Sequence, residues 1–170
     1  AIASCVKEIV HLGKMAEKNL SLACETLINK DESAIEQIYE REKKIDNLTK
    51  VITQFLVKLC NTDVTTEENN YITSLFHTVH DMERIGDHSE NLAEFTQTMI
   101  DDELEFSDTA KEELREMFGE TEKCVKNSIT ALENDSMEYA EKVIKEEERV
   151  DGLEKGLRDK HIVRLTTNRC

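Results

Sequence analysis

The sequence predicts an all-α protein built as an up-down bundle of long helices, on three observations. There is no proline and there are only five glycines in 170 residues, so long helices meet none of their strongest breakers. Charged residues make up 35% of the chain, aromatics only 5%, and tryptophan is absent. That balance describes amphipathic helices around an aliphatic core. Apolar residues then recur at alternating spacings of three and four along most of the chain, the period of one helical face.

The elements follow in order. Val6, Ile9, Gly13, Ala16, Leu20, Ala23 and Leu27 form the stripe of a first helix. Asn29-Lys30-Asp31 breaks it, with Asp31 placed to cap the next helix. The second stripe runs through Ile35, Ile38, Ile45, Ile52, Phe55 and Leu59. Thr65-Thr66-Glu67-Glu68 reads as a capping box. It opens a third helix carrying Ile72, Leu75, Phe76, Val79, Met82, Ile85, Leu92 and Phe95. After a linker around Asp101–Phe106, a fourth helix begins near Ser107, with Thr109-x-x-Glu112 as a box, and ends near Asn134. Asp135-x-x-Glu138 starts a fifth that runs to the C-terminus. Short turns between such helices make antiparallel neighbours.

Charge narrows the function. With 37 acidic and 22 basic side chains the formal net charge is −15. Such a surface repels phosphate backbones and anionic lipid headgroups, which excludes nucleic acid as a partner and favours cations or basic protein surfaces. The five cysteines (Cys5, Cys24, Cys60, Cys124, Cys170) are an odd, scattered set without a Cys-x-x-Cys pair. They point to reduced thiols in a cytosolic setting, packed as small core fillers. No stretch approaches the roughly 20 apolar residues that cross a bilayer; the most apolar, Val51–Cys60, is interrupted by Gln54 and Lys58. Nothing resembles a signal peptide. The chain begins without methionine, which fits excision from a longer parent.

An internal repeat organises the chain. Glu42-Lys43-Lys44-Ile45-Asp46-Asn47-Leu48 aligns with Glu147-Glu148-Arg149-Val150-Asp151-Gly152-Leu153, and Ile28–Asp31 with Leu132–Asp135, at offsets of 105 and 104 residues. The expected arrangement is a tandem repeat of three-helix units. Residues 1–101 form the first; residues 102–170 form a second with two helices only, its sixth helix absent from this chain. The seam of helices four and five then stays uncovered, and self-association is expected.

Acidic residues interrupt the apolar stripes. Position 42 of the second stripe is glutamate, with Asp46 one turn on along the same face; the fifth helix repeats the anomaly at Glu147 and Asp151. The third helix offers Glu83 and Asp87, with His80 one turn before and Glu94 two turns after. A charge aimed at a core costs several kcal/mol unless it is paired or metal-bound. Antiparallel helices two and three would face Glu42 and Asp46 with Glu83 and Asp87. Spacing alone leaves two readings open: an all-oxygen site for a hard cation or carboxylate-bound iron, or salt bridges to Lys43, Lys50 or Arg84 on a solvated face. Gly86, mid-helix, costs up to about 1 kcal/mol against alanine and marks a close approach by another group. Arg84 is placed to pair with a carboxylate of an adjacent helix, and His88 to support or join the ligands.

The run Asp81-Met82-Glu83-Arg84-Ile85-Gly86-Asp87-His88, followed by Asn91-Leu92-Ala93-Glu94, resembles the signature helix of the PhoU family. The resemblance covers essentially the whole chain. It implies two repeated three-helix bundles, regulation of phosphate uptake, and metal ions, iron-type in some members, held by Glu/Asp-x-x-x-Asp motifs. Onto those motifs map Glu42 and Asp46, Glu83 and Asp87, and Glu147 and Asp151, with His80, Arg84 and His88 around them. The segment Glu154–Leu165, with His161-Ile162-Val163-Arg164-Leu165, is similar to PhoU-like domains appended to sodium-dependent phosphate cotransporters. That likeness implies a soluble domain on the cytoplasmic face of the plasma membrane. Its partners would be the transporter's membrane domain in the same parent chain and phosphate held through metal. The family's second signature copy belongs on the absent sixth helix, so the Glu147–Asp151 site is half built in this chain.

An enzyme is not expected. Glu8-x-x-His11 is half of a di-iron carboxylate motif without its other half, and no nucleophile elbow or glycine-rich phosphate loop occurs. The alternatives are a stand-alone negative regulator of an ATP-driven phosphate transporter and its sensor kinase, a carboxylate di-metal enzyme, and a helical scaffold without a site.

Overall fold

The computed structural model describes residues 1–167. Five helices occur in the order α1 (Ile2–Asn29), α2 (Glu32–Cys60), α3 (Thr66–Asp101), α4 (Asp108–Asn134) and α5 (Met137–Thr166), and no strand occurs among the described residues. Among these residues no helix is long and apolar enough to cross a membrane.

Two of the anticipated start signals hold. Asp31 accepts a hydrogen bond from the Ser33 amide at 3.1 Å, and α1 stops at Lys30, whose left-handed backbone (φ 51°) lets its N–H reach the Thr26 carbonyl. Thr65 and Glu68 form a reciprocal capping box. The other two starts differ by a few residues. Ser107, not Thr109, caps α4 by accepting from the Ala110 amide. Ser136 caps α5, because Asp135 is already used at φ 49° to end α4. Both serines stand in extended backbone just before the helix, the geometry a side-chain cap requires.

Helices α1, α2 and α3 pack on one another as a three-helix bundle, and α4 packs on α1. The inward face of α2 runs Ile35, Ile38, Glu42, Ile45, Thr49, Ile52, Leu56 and Leu59, an unbroken alternation of three and four. Leu56 is therefore the core residue and Phe55 its half-exposed neighbour. Phe95 is likewise on the outside; α3 turns inward the small residues Gly86, Ser89, Ala93 and Thr96 below its aliphatic half. Each fully buried aliphatic side chain contributes roughly 1.5–3 kcal/mol.

Seating of α4 depends on Gly13. A Cβ there would lie 3.0 Å from Ile129 and 3.2 Å from the Met82 sulfur. The side chain of Ile129, the one fully buried residue of α4, fills the notch left by that missing methyl. The α4–α5 seam is more polar. Glu113 meets Arg164 at 3.0 Å and Glu120 meets Arg149 at 3.1 Å, while Ile144, Ile162, Val163 and Leu165 are exposed. Among the described residues α5 packs on α4 alone. Cys5 and Cys24 fill the core as expected, and no disulfide occurs among the described residues; Cys170 lies outside them.

Candidate metal centre

The aliphatic core of the first bundle is broken at one level. One cluster extends from Cys5 to Ala16 on α1, with Ile45–Leu59 of α2 and Ile72–Met82 of α3. A smaller one holds Ala23, Ile35, Ile38 and Ala93. Between them lie the buried positions Asn19, Glu42, Gly86 and Ser89, polar or small residues flanked on α1 by the buried Leu20.

Glu42 is the unusual member. It is only 3% exposed, and neither carboxylate oxygen has a hydrogen-bond partner. Gly86 explains how it fits: a Cβ at that position would stand 2.5 and 2.9 Å from the two Glu42 oxygens. The mid-helix glycine thus admits a carboxylate from the neighbouring helix. Burial first, then the charges of Asp46, Asp87 and Glu90, and last the hydrogen bond that a protonated Glu42 can donate to Asp46, push the Glu42 carboxyl up to about 8.

Ligand atoms of Glu42, Asp46 and Asp87 all lie within 4.8 Å of one another. Two oxygens on opposite sides of one ion at about 2.4 Å are about 4.8 Å apart, so a single hard cation can bridge this set. The residues suit such an ion: the donors are all carboxylate oxygens, and the innermost lacks any other partner. The alternative of salt bridges fails for these three. Lys43 pairs with Glu40 at 3.0 Å, and no described ion pair reaches Glu42, Asp46 or Asp87. A cation here would supply the positive charge that protein side chains do not.

The other anticipated residues are placed differently. Glu83 lies on the same flank of α3 as Asp87, but its carboxylate turns to His80 at 3.4 Å and is outside the close group. Arg84 and His88 are exposed, and Arg84 makes no ion pair to an adjacent helix among the described residues. Glu147 and Asp151 are also exposed rather than on a buried stripe. The buried acid of α5 is Glu146, whose two oxygens accept from the Asn127 amide at 2.7 and 2.9 Å, with Lys123 at 3.9 Å. Among the described residues α5 packs on α4 alone, and α4 offers its donors to position 146.

Glu90 was not anticipated. Burial first, and then Glu94, Asp46 and Asp87, raise its carboxyl above the usual range. With Glu36, Tyr39, Lys43 and Glu94 it borders the open cleft onto which Glu42 and Asp46 face. Its signal was present in the sequence: Glu83, Asp87, Glu90 and Glu94 repeat at four, three and four residues, one acidic flank of α3.

Comparison with known proteins places the fold and the family. A phosphate-specific transport system accessory protein PhoU homolog from Clostridium acetobutylicum is 27% identical over 150 residues, covering 87% of this chain and 67% of that protein. The corresponding PhoU homolog 1 of Thermotoga maritima is 26% identical over 145 residues, 85% of this chain and 62% of that protein. The chain thus spans roughly two thirds of the length of these relatives. The crystal structure of PhoU from Pseudomonas aeruginosa superposes with a TM-score of 0.89 over 99% of this chain and 80% of that one, at 21% identity, a likeness of fold. The PhoU domain itself matches residues 9–96 and 114–170, segments that contain the broken core layer and all three clustered carboxylates, and the chain belongs to the PhoU domain family.

Proposed function

We propose that this chain is a metal-binding regulatory domain of phosphate transport. A cation held by Glu42, Asp46 and Asp87 would prepare the acidic face of α2 and α3 for docking. The observation that carries the metal step is the buried, unpartnered Glu42 carboxylate beside two further acids. The role in phosphate transport rests on family membership and on the accessory-protein names of the relatives, which favour a stand-alone regulator of an ATP-driven phosphate transporter and its sensor kinase. Phosphate would reach the site through the metal, because the carboxylates repel a free anion. Elemental analysis of purified protein, with Asp46→Ala and Asp87→Ala as controls, tests the metal step. Absence of bound metal after reconstitution, or occupancy indifferent to both changes, sinks it. Deleting the gene and measuring phosphate uptake under phosphate-rich conditions tests the regulatory step; uptake should rise.

A second reading keeps the domain but attaches it to a sodium/phosphate cotransporter, and the His161–Leu165 segment at the end of α5 favours it. Several apolar spans upstream of Ala1 in the parent gene would support this version. Glu147 and Asp151 then form half of a second cation position, completed by a further helix or by another copy through the uncovered apolar side of α5.

A further inference from the structure

We infer that Asn19 of α1 is a positioning residue for the cation site, so that the site is set by three helices, although its carboxylates come from two. The inference rests on the metal-binding reading of Glu42, Asp46 and Asp87.

Asn19 is fully buried at the level of Glu42, in the layer that separates the two aliphatic clusters. Its side-chain amide donates to the Ile38 carbonyl at 3.2 Å. Within α2 that carbonyl lies four residues before Glu42, so it is also the intrahelical acceptor of the Glu42 backbone N–H. A carbonyl has two lone pairs and serves both donors. The amide orientation is fixed by this contact, because the opposite one would set two oxygens against each other. Asn19 therefore ties α1 to the turn of α2 from which Glu42 projects.

An apolar side chain at position 19 would be the ordinary choice for a core stripe that otherwise runs Ile9, Leu12, Ala16 and Ala23. Asparagine brings a cost there, since its Oδ1 is buried without a partner, and an unsatisfied buried acceptor destabilises the fold. The hydrogen bond to Ile38 offsets part of that cost by tying α1 to α2. The same bond holds the Ile38–Glu42 turn in register, so that the Glu42 carboxylate meets Gly86 and stays near Asp46 and Asp87. Supporting residues of this kind typically alter metal affinity by about 10- to 100-fold when removed.

The test uses the full chain and Mn²⁺ as the probe, with affinity read by calorimetry and the thermal midpoint read separately in chelator. Asn19→Leu should keep or raise the metal-free midpoint while weakening Mn²⁺ binding by about 10-fold or more. Should Asn19→Leu fail to fold, Asn19→Ala, which adds no bulk, gives the same comparison. Wild-type affinity in the folded variant overturns the inference and leaves the metal site standing. Absence of Mn²⁺ binding by the wild-type chain overturns both.

Discussion

Replacing Glu42 by glutamine isolates the energetics of the buried carboxylate. In metal-free protein its carboxyl is raised from an ordinary 4.5 to about 8. At 1.36 kcal/mol per tenfold change in proton affinity, that displacement corresponds to roughly 5 kcal/mol. The native state holds the Glu42 proton more tightly than the unfolded chain. Its contribution to stability is therefore fully present below about pH 4.5 and lost as pH rises through about 8. Glutamine keeps the shape and removes the ionisation. Denaturant unfolding in chelator across pH 4.5 to 9 should show the wild type losing several kcal/mol relative to Glu42→Gln, with most of the gap open by pH 9. Excess divalent cation should close or reverse the gap, because the ion stabilises only the wild-type carboxylate. Parallel pH profiles for the two proteins would refute both the burial of an ionisable Glu42 and its partnerless state.

Three further perturbations test the surrounding structure. Gly86→Ala improves helix propensity by up to about 1 kcal/mol yet places a methyl 2.5 Å from a Glu42 oxygen; metal-free stability should change little while Mn²⁺ affinity falls, as read by melting in chelator and by calorimetry. Ile129→Ala empties the Gly13 notch and should cost about 2–5 kcal/mol, with amide exchange accelerating first in α4 and α5. Thr65→Ala removes the capping box of α3 and should cost about 1 kcal/mol in denaturant unfolding, leaving metal affinity unchanged.

Much of the fold was legible because helices in this chain obey one period. Stripes of three and four located the first three helices, and start signals near Ser107 and Asp135 located the last two to within a few residues. Asp31 and the Thr65–Glu68 box marked two starts outright. Phe55 misled because it flanks a stripe that Leu56 completes, and one residue of phase rotates a helix by 100°. Glu42 was legible as an acid on an apolar stripe, and Gly86 as a glycine where a helix does not want one. Glu83 was not, since its position on α3 is shared with Asp87 but its carboxylate turns to His80, a choice made by the side chain alone. Glu147 and Glu146 are adjacent, and which of them is buried depends on the donors α4 presents, Asn127 and Lys123. No pattern within α5 encodes that.

The Gly13 notch also limits how α4 can slide. Shifting α4 by one turn in one direction would bring Glu133 to the notch, driving a carboxylate between Gly13 and Met82 and breaking its contact with Lys14. Shifting it the other way would present Val125, one methylene smaller than isoleucine, and would draw Glu133 away from Lys14 as well. Ile129 in the Gly13 notch therefore fixes the register of α4 on α1, since a one-turn shift in either direction loses both that packing and the Lys14–Glu133 contact.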